Sequence, residues 1–115
     1  MRYLTTLFLV LSSLTVFAEN WPQHLGPHRT GISKETGLVS VWPKSGLDVK
    51  WRSPGGVGMS GLAIQDSWVV TLIQKEGQQF VIALDRDSGT KKWETAVAPA
   101  FRNSMGNGPR AYPLC

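Results

Sequence analysis

The sequence predicts an all-β protein, and three observations carry that prediction. The apolar runs are short and rich in β-branched and aromatic residues, as in "WVVTLI" and "FVIAL". Such side chains fit a pleated, half-buried surface. Between the runs lie clusters of turn formers, "QDS", "QKEGQQ" and "DRDSGT", whose Asp, Ser and Gly suit tight reversals. With 12 Gly and 7 Pro in 115 residues, little room is left for a long amphipathic helix.

Residues 1–18 stand apart from this pattern. "MRYLTTLFLVLSSLTVFA" has one early positive charge, Arg2, then an apolar run from Leu4 to Phe17 that ends at Ala18. That is the layout of a secretory signal peptide, and it falls short of the ~20 apolar residues of a membrane-spanning helix. Export follows as the expectation, to a periplasmic or extracellular location, with no transmembrane span after cleavage. Cys115 is the single cysteine, so no internal disulfide framework forms. No cysteine opens the expected mature chain to carry a lipid. The formal net charge of +4 falls to +3 without Arg2. Its basic residues are scattered, with only Lys91 and Lys92 adjacent. No basic stripe marks a nucleic-acid surface, and nucleic-acid binding is not expected.

Residues 19–46 read as an irregular leader. Pro, Gly and polar residues dominate it, and burial of Trp21, Trp42, Leu38, Val39 and Val41 is expected to pin it down. From residue 47 the pattern turns to strands. "LDVKWRS" (47–53) alternates Leu47, Val49 and Trp51 with Asp48, Lys50 and Arg52, the period-2 signature of a half-buried strand. "SPGGVGMSG" is a loop. Residues 62–64, 68–73, 80–84 and 92–97 then form four short antiparallel strands in one meander.

There is also an internal echo. "VKW" and "KKW" each close on a tryptophan, Trp51 and Trp93, 42 residues apart, and a Gly-rich loop follows each. A period of ~40–45 residues with four strands per unit is the signature of a β-propeller blade. The expected fold is therefore one four-stranded blade plus the start of a second over residues 47–115.

The stretch "ALDRDSGTKKW" (83–93) poses a functional question, because Asp85 and Asp87 could be paired carboxylates. General acid–base chemistry needs two carboxyls facing one cleft with separated pKa values. Here Asp85 ends an apolar strand, Gly89 allows a positive φ, and Asp85 and Ser88 can bond the backbone of a turn. A structural corner is the reading, with no catalytic residue. Trp93 sits where its ring can lie over the corner or dock on a neighbouring sheet.

Ala83, Asp85, Gly89 and Trp93 match the A-x-D-x-x-T-G-x-x-x-W tryptophan-docking motif, with Ser88 in place of Thr. The stretch thus resembles the PQQ-like (quinoprotein-type) β-propeller repeat family. The leader "WPQHLGPHRTGISKETGL" is similar to the W-P-Q-x-x-G-P-x-x-x-G segment that precedes the propeller in exported bacterial members. Trp21, Pro22, Gln23, Gly26, Pro27 and Gly31 match, while Leu25 stands where Arg is common. The resemblance implies several four-stranded blades around a channel, with each tryptophan wedged between neighbours.

Other motifs read structurally. Gly56-Val57-Gly58-Met59-Ser60-Gly61 is a literal G-x-G-x-x-G, but strand-like "LAIQDSWVVTLI" follows where a nucleotide fold needs a helix. His24 and His28 have helical metal-ligand spacing, yet Pro22, Gly26 and Pro27 break the helix and no third ligand is near. No metal site is expected. Asn103, Asn107 and Arg110 lie in a polar, Gly-broken loop, the expected place for any ligand contact.

A full propeller of 4–8 blades needs roughly 160–360 residues, so a partial chain is expected, poorly folded by itself. The expected function is that of an exported, non-enzymatic scaffold or interaction domain with a protein partner. The resemblance implies a relation to such proteins, including the propeller lipoprotein of the outer-membrane barrel-assembly machinery. The alternative is a fragment of a quinoprotein alcohol or sugar dehydrogenase using pyrroloquinoline quinone (PQQ) and Ca²⁺. The resemblance implies those cofactors only if the longer parent is such an enzyme. That class often carries an adjacent Cys-Cys pair, which this sequence lacks.

Overall fold

The computed structural model describes residues 18–115. All of the expected signal peptide except Ala18 lies outside the described residues. The described chain contains no helix, and so none long and apolar enough to cross a membrane. It is all-β, with one four-stranded antiparallel sheet.

The sheet is a meander of β1 (Ala63–Gln65), β2 (Trp68–Lys75), β3 (Gln78–Asp85) and β4 (Lys91–Pro99), in the order β1-β2-β3-β4. The turn residues set each reversal. Gln65 pairs with Trp68 across Asp66 and Ser67, with Asp66 at φ 51°. Lys75 pairs with Gln78 across Glu76 (φ 50°) and Gly77 (φ 78°). Two positive φ values in a two-residue loop match the right-handed strand twist. β2, β3 and β4 run longer than expected because their ladders continue into polar Gln74, Lys75, Gln78 and Gln79. Bulges between Gln79 and Phe80 and between Ala83 and Leu84 shift the β3–β4 register.

One face of the sheet carries the main hydrophobic cluster, while the buried Ala63 and Ala83 lie on the other, in register with Val70. Val69, Ile82 and Leu84 are buried, with Trp51, Ile64, Ile73 and Phe80 packed around them. The opposite face shows Trp93, opposite Ala83, and Trp68, opposite Asp85. These rings are 42% and 39% exposed.

The expected strand over 47–53 does not form, since its backbone finds no partner among the described residues. Nor does a strand begin after residue 100. Instead the chain doubles back onto the leader and the loop before β1: Pro109 O accepts from Met59 N (2.9 Å) and Pro22 O from Cys115 N (2.9 Å). Backbone pairing, together with a partly buried Trp21 as expected, holds the leader. Trp21 and Ile64 exchange N–H···O bonds of 2.8 and 2.9 Å, which covers the outer side of β1. Asn20 Oδ1 accepts from Asp66 N at 2.8 Å. Trp42, Leu38, Val39 and Val41, expected to bury, all remain exposed because no apolar surface comes over them.

Candidate functional site

The corner after β3 is the most organised polar feature. Gly89 N donates to Asp85 O (2.8 Å) and Asp85 N to Thr90 O (2.8 Å), closing the turn. Asp85 Oδ1 accepts from Asp87 N (3.1 Å), Ser88 N (2.9 Å) and Ser88 Oγ (3.0 Å). Its other oxygen, Oδ2, lies 3.3 Å from Lys92 Nζ. The amide and hydroxyl of Ser88, then Lys92, favour the charged form and hold the Asp85 pKa down at about 2. A carboxylate engaged this way is a turn fastener and a poor proton carrier near neutral pH. Asp87 points outward, its side chain 84% exposed. The two carboxyls therefore occupy different surroundings, with no cleft between them.

A side chain from elsewhere in the sequence completes the corner. The Trp51 ring lies directly over Gly89, where a Cβ would meet ring atoms Cδ2 and Cε3. Its Nε1–H donates to Arg86 O at 2.8 Å. Gly89 has φ +70°, a conformation that L side chains rarely adopt. The seat thus needs glycine twice, for its backbone and for its bare face. Of the two positions open to Trp93, the structure shows it away from this corner, on the opposite face and partly exposed. The signal for Trp51 was present in the "VKW"/"KKW" echo, but local sequence does not say which tryptophan meets which glycine.

The remaining predicted residues are also accounted for. Asn103 Oδ1 accepts from Met105 N (2.8 Å), and Asn107 Oδ1 from Asn103 N (3.2 Å). Arg110 donates to Gly106 O at 2.9 Å and lies 5.4 Å from the Phe101 ring centroid. All three engage their own loop. In the G-x-G-x-x-G stretch each glycine gives a neighbour room. A Cβ on Gly56 would meet Gln74 O, one on Gly58 the Pro109 ring, and one on Gly61 the Tyr112 ring. Tyr112 OH then donates to Leu62 O at 2.6 Å. His24 meets Tyr112 edge to face, centroids 5.3 Å apart, and His28 is exposed. Among the described residues, no group of three or more His, Cys, Asp or Glu is placed to hold a metal.

An open groove of about 570 Å³ runs between residues 52–55 and the core face. Its floor is apolar, from Ile73, Ile82 and Leu84, and Lys75, Lys91 and Glu94 line it as well. Glu94 pairs with both lysines, at 3.1 and 2.8 Å. These bonds, that from Lys91 foremost, hold its carboxyl below the usual range. No family model, curated protein or solved structure matches the chain.

Proposed function

We propose that the chain is a repeat unit of an exported, non-enzymatic β-propeller-type protein of the PQQ-like class, serving as a scaffold or interaction domain for a protein partner. The observation that carries this reading is the seating of Trp51 on the Gly89 corner, with its indole N–H on Arg86 O. That contact uses the aspartate–glycine turn as a mechanical dock for an aromatic ring from outside the meander. Trp93 offers a second such ring, 42 residues on and half-exposed.

The thin core supports the same reading. Among the described residues no large side chain is fully buried, while Trp68, Trp93 and Val97 stay open on the sheet. A sheet that covers so little apolar surface gains stability by stacking against like units. Export rests on the charge and hydropathy layout of residues 1–18.

The test is expression of the whole chain in a bacterium, followed by mass spectrometry of the exported fraction and titration with PQQ and Ca²⁺. The expected product begins at Glu19 and shows no saturable change in quinone absorbance. Retention of residues 1–18 in the cytoplasm refutes export, and saturable quinone binding favours the dehydrogenase alternative.

A further inference from the structure

Glu19 is held by its backbone and by its side chain. Its N–H donates to Glu35 Oε1 at 2.6 Å, and its Oε2 accepts from Ser33 Oγ (2.8 Å) and Lys34 N (3.0 Å). The bonds to Oε2, that from the Lys34 amide foremost, keep the Glu19 carboxyl below its usual range. Ser33 Oγ in turn accepts from Glu35 N at 3.1 Å, so residues 33–35 form a small cup around residue 19. The residues that follow tie the cup to the sheet. Asn20 exchanges bonds of 2.8 and 3.2 Å with Asp66, in the β1–β2 turn, and Trp21 pairs with Ile64 of β1. Ala18, just before the cup, is exposed.

The charges of the cup do not balance. It gathers two carboxylates, Glu19 and Glu35, and among the described residues neither forms an ion pair. Lys34 and His28 are the basic groups that face Glu19, and the Lys34 contact within 3.0 Å is made by its amide. The nitrogen on which Glu35 rests is a neutral amide while residues 1–18 are attached. It is also the atom that the cut expected after Ala18 releases as an amine. Hydrolysis of the Ala18–Glu19 bond places the hydroxyl of water on the Ala18 carbonyl carbon and its hydrogen on the Glu19 nitrogen. The proton that the new Ala18 carboxyl gives up balances the one that the amine takes. An α-amino group titrates near ~7.7–8.0 and is mostly charged at neutral pH.

We propose that removal of residues 1–18 turns the Glu19–Glu35 hydrogen bond into an ammonium–carboxylate ion pair, which locks the leader into the cup of residues 33–35 once the chain is exported. A charge-assisted bond is roughly twice as strong as a neutral one, so the cup holds the new terminus better than it holds the amide of the uncut chain. The carboxylate without a partner thereby gains one at the moment of processing. The inference rests on the export reading above and adds what the new terminus does.

Acylation of the exported protein tests it. Mass spectrometry first reads the N-terminal residue, and a terminus other than Glu19 refutes the expected cut and the inference together. With Glu19 at the terminus, the probe is limiting isotope-labelled acetic anhydride near neutral pH, read on the N-terminal proteolytic fragment. An amine acylates only when deprotonated, so the terminus should react about threefold more slowly than that of the free peptide ENWPQH. Glu35→Gln keeps an acceptor and loses the charge; it should return the rate to that of the peptide and leave amide exchange in β2 and β3 unchanged. Glu76→Gln, in the β2–β3 turn, should leave the rate of the wild type. If Glu35→Gln loses the sheet, about 1 M NaCl on the wild type replaces it and should speed acylation by screening the pair. Equal rates in protein and peptide, a Glu35→Gln rate no faster than wild type, or a rate indifferent to salt overturns the ion pair and leaves export standing. Exchange at free-chain rates in β2 and β3 of the wild type overturns it as well, because the cup then has no fold to close on.

Discussion

Adding one methyl group at Gly89 should undo the Trp51 seat, and its size can be worked from the structure. A Cβ there would lie 2.5 Å from Trp51 Cδ2, inside any real contact distance, so the indole must leave. Trp51 is mostly covered, and unseating it should bare about half of the ~200 Å² that a tryptophan buries, worth ~2.5 kcal/mol at ~25 cal/mol per Å². Losing the bond from Nε1 to Arg86 O adds ~1 kcal/mol. Holding alanine at φ +70° adds ~1–2 kcal/mol. Gly89→Ala should therefore cost ~5 kcal/mol and Trp51→Ala ~3.5 kcal/mol. The double variant should cost no more than Gly89→Ala alone, because the ring is lost only once. The coupling, ~3.5 kcal/mol, is the quantity to measure. Equilibrium urea unfolding of the four proteins reads it, with trimethylamine N-oxide added to lift the baseline of a thin-cored sheet. Additivity of the two single changes within ~0.5 kcal/mol would refute the seat.

Two further perturbations address the corner and the returning C-terminal segment. The Asp85 pKa is lowered from 3.8 to about 2, so its stabilisation is complete above the unfolded value and lost as pH falls through the folded one. Asp85→Asn should lower the urea midpoint near neutral pH, with the gap to wild type narrowing between about pH 4 and pH 2; a constant gap would refute the assignment. Gly61→Val should push Tyr112 off the loop and break its bond to Leu62 O, seen as faster exchange across residues 107–115. Tyr112→Ala should make that substitution nearly harmless, and an equal cost in both backgrounds would show that the ring is not what the glycine accommodates.

The hairpins were legible because their chemistry is local. Asp66-Ser67, Glu76-Gly77 and the Asp85–Gly89 corner each hold the residues their turns demand, and β-branched runs flank them. The strand ends were less legible, since Gln74, Lys75, Gln78 and Gln79 join the ladder through backbone groups that no hydrophobic pattern marks. For residues 47–53 alternation misled, because no neighbour pairs with the segment and Leu47 and Val49 stay exposed with Asp48 and Lys50. The glycines of residues 56–61 read from sequence only as a loop, with no sign of what would lie against them. That Gln74, Pro109 and Tyr112 fill those places is a long-range fact. The exposure of Trp42 was hidden for the same reason: burial depends on what folds over a residue as well as on its own apolarity.

Three rings are set on three glycines along this irregular chain, and one of the pairs, Trp51 on Gly89, reaches a turn of the sheet. Trp21 lies on Gly26, Trp51 on Gly89 and Tyr112 on Gly61. In each pair a flat side chain comes close to bare backbone, a contact that any Cβ would prevent. The three pairs involve the leader, the segment before the sheet and the returning C-terminal segment, which lack a continuous ladder of their own. Each ring also has polar support nearby: Trp21 bonds Ile64 through its backbone, and the other two donate to Arg86 O and Leu62 O. Trp42, Trp68 and Trp93 form no such pair and are 69%, 39% and 42% exposed. On the repeat-unit reading proposed above, the unseated tryptophans on the sheet, Trp68 and Trp93, are where a neighbouring sheet would attach. A partner surface with a glycine corner fits them better than one built on large side chains.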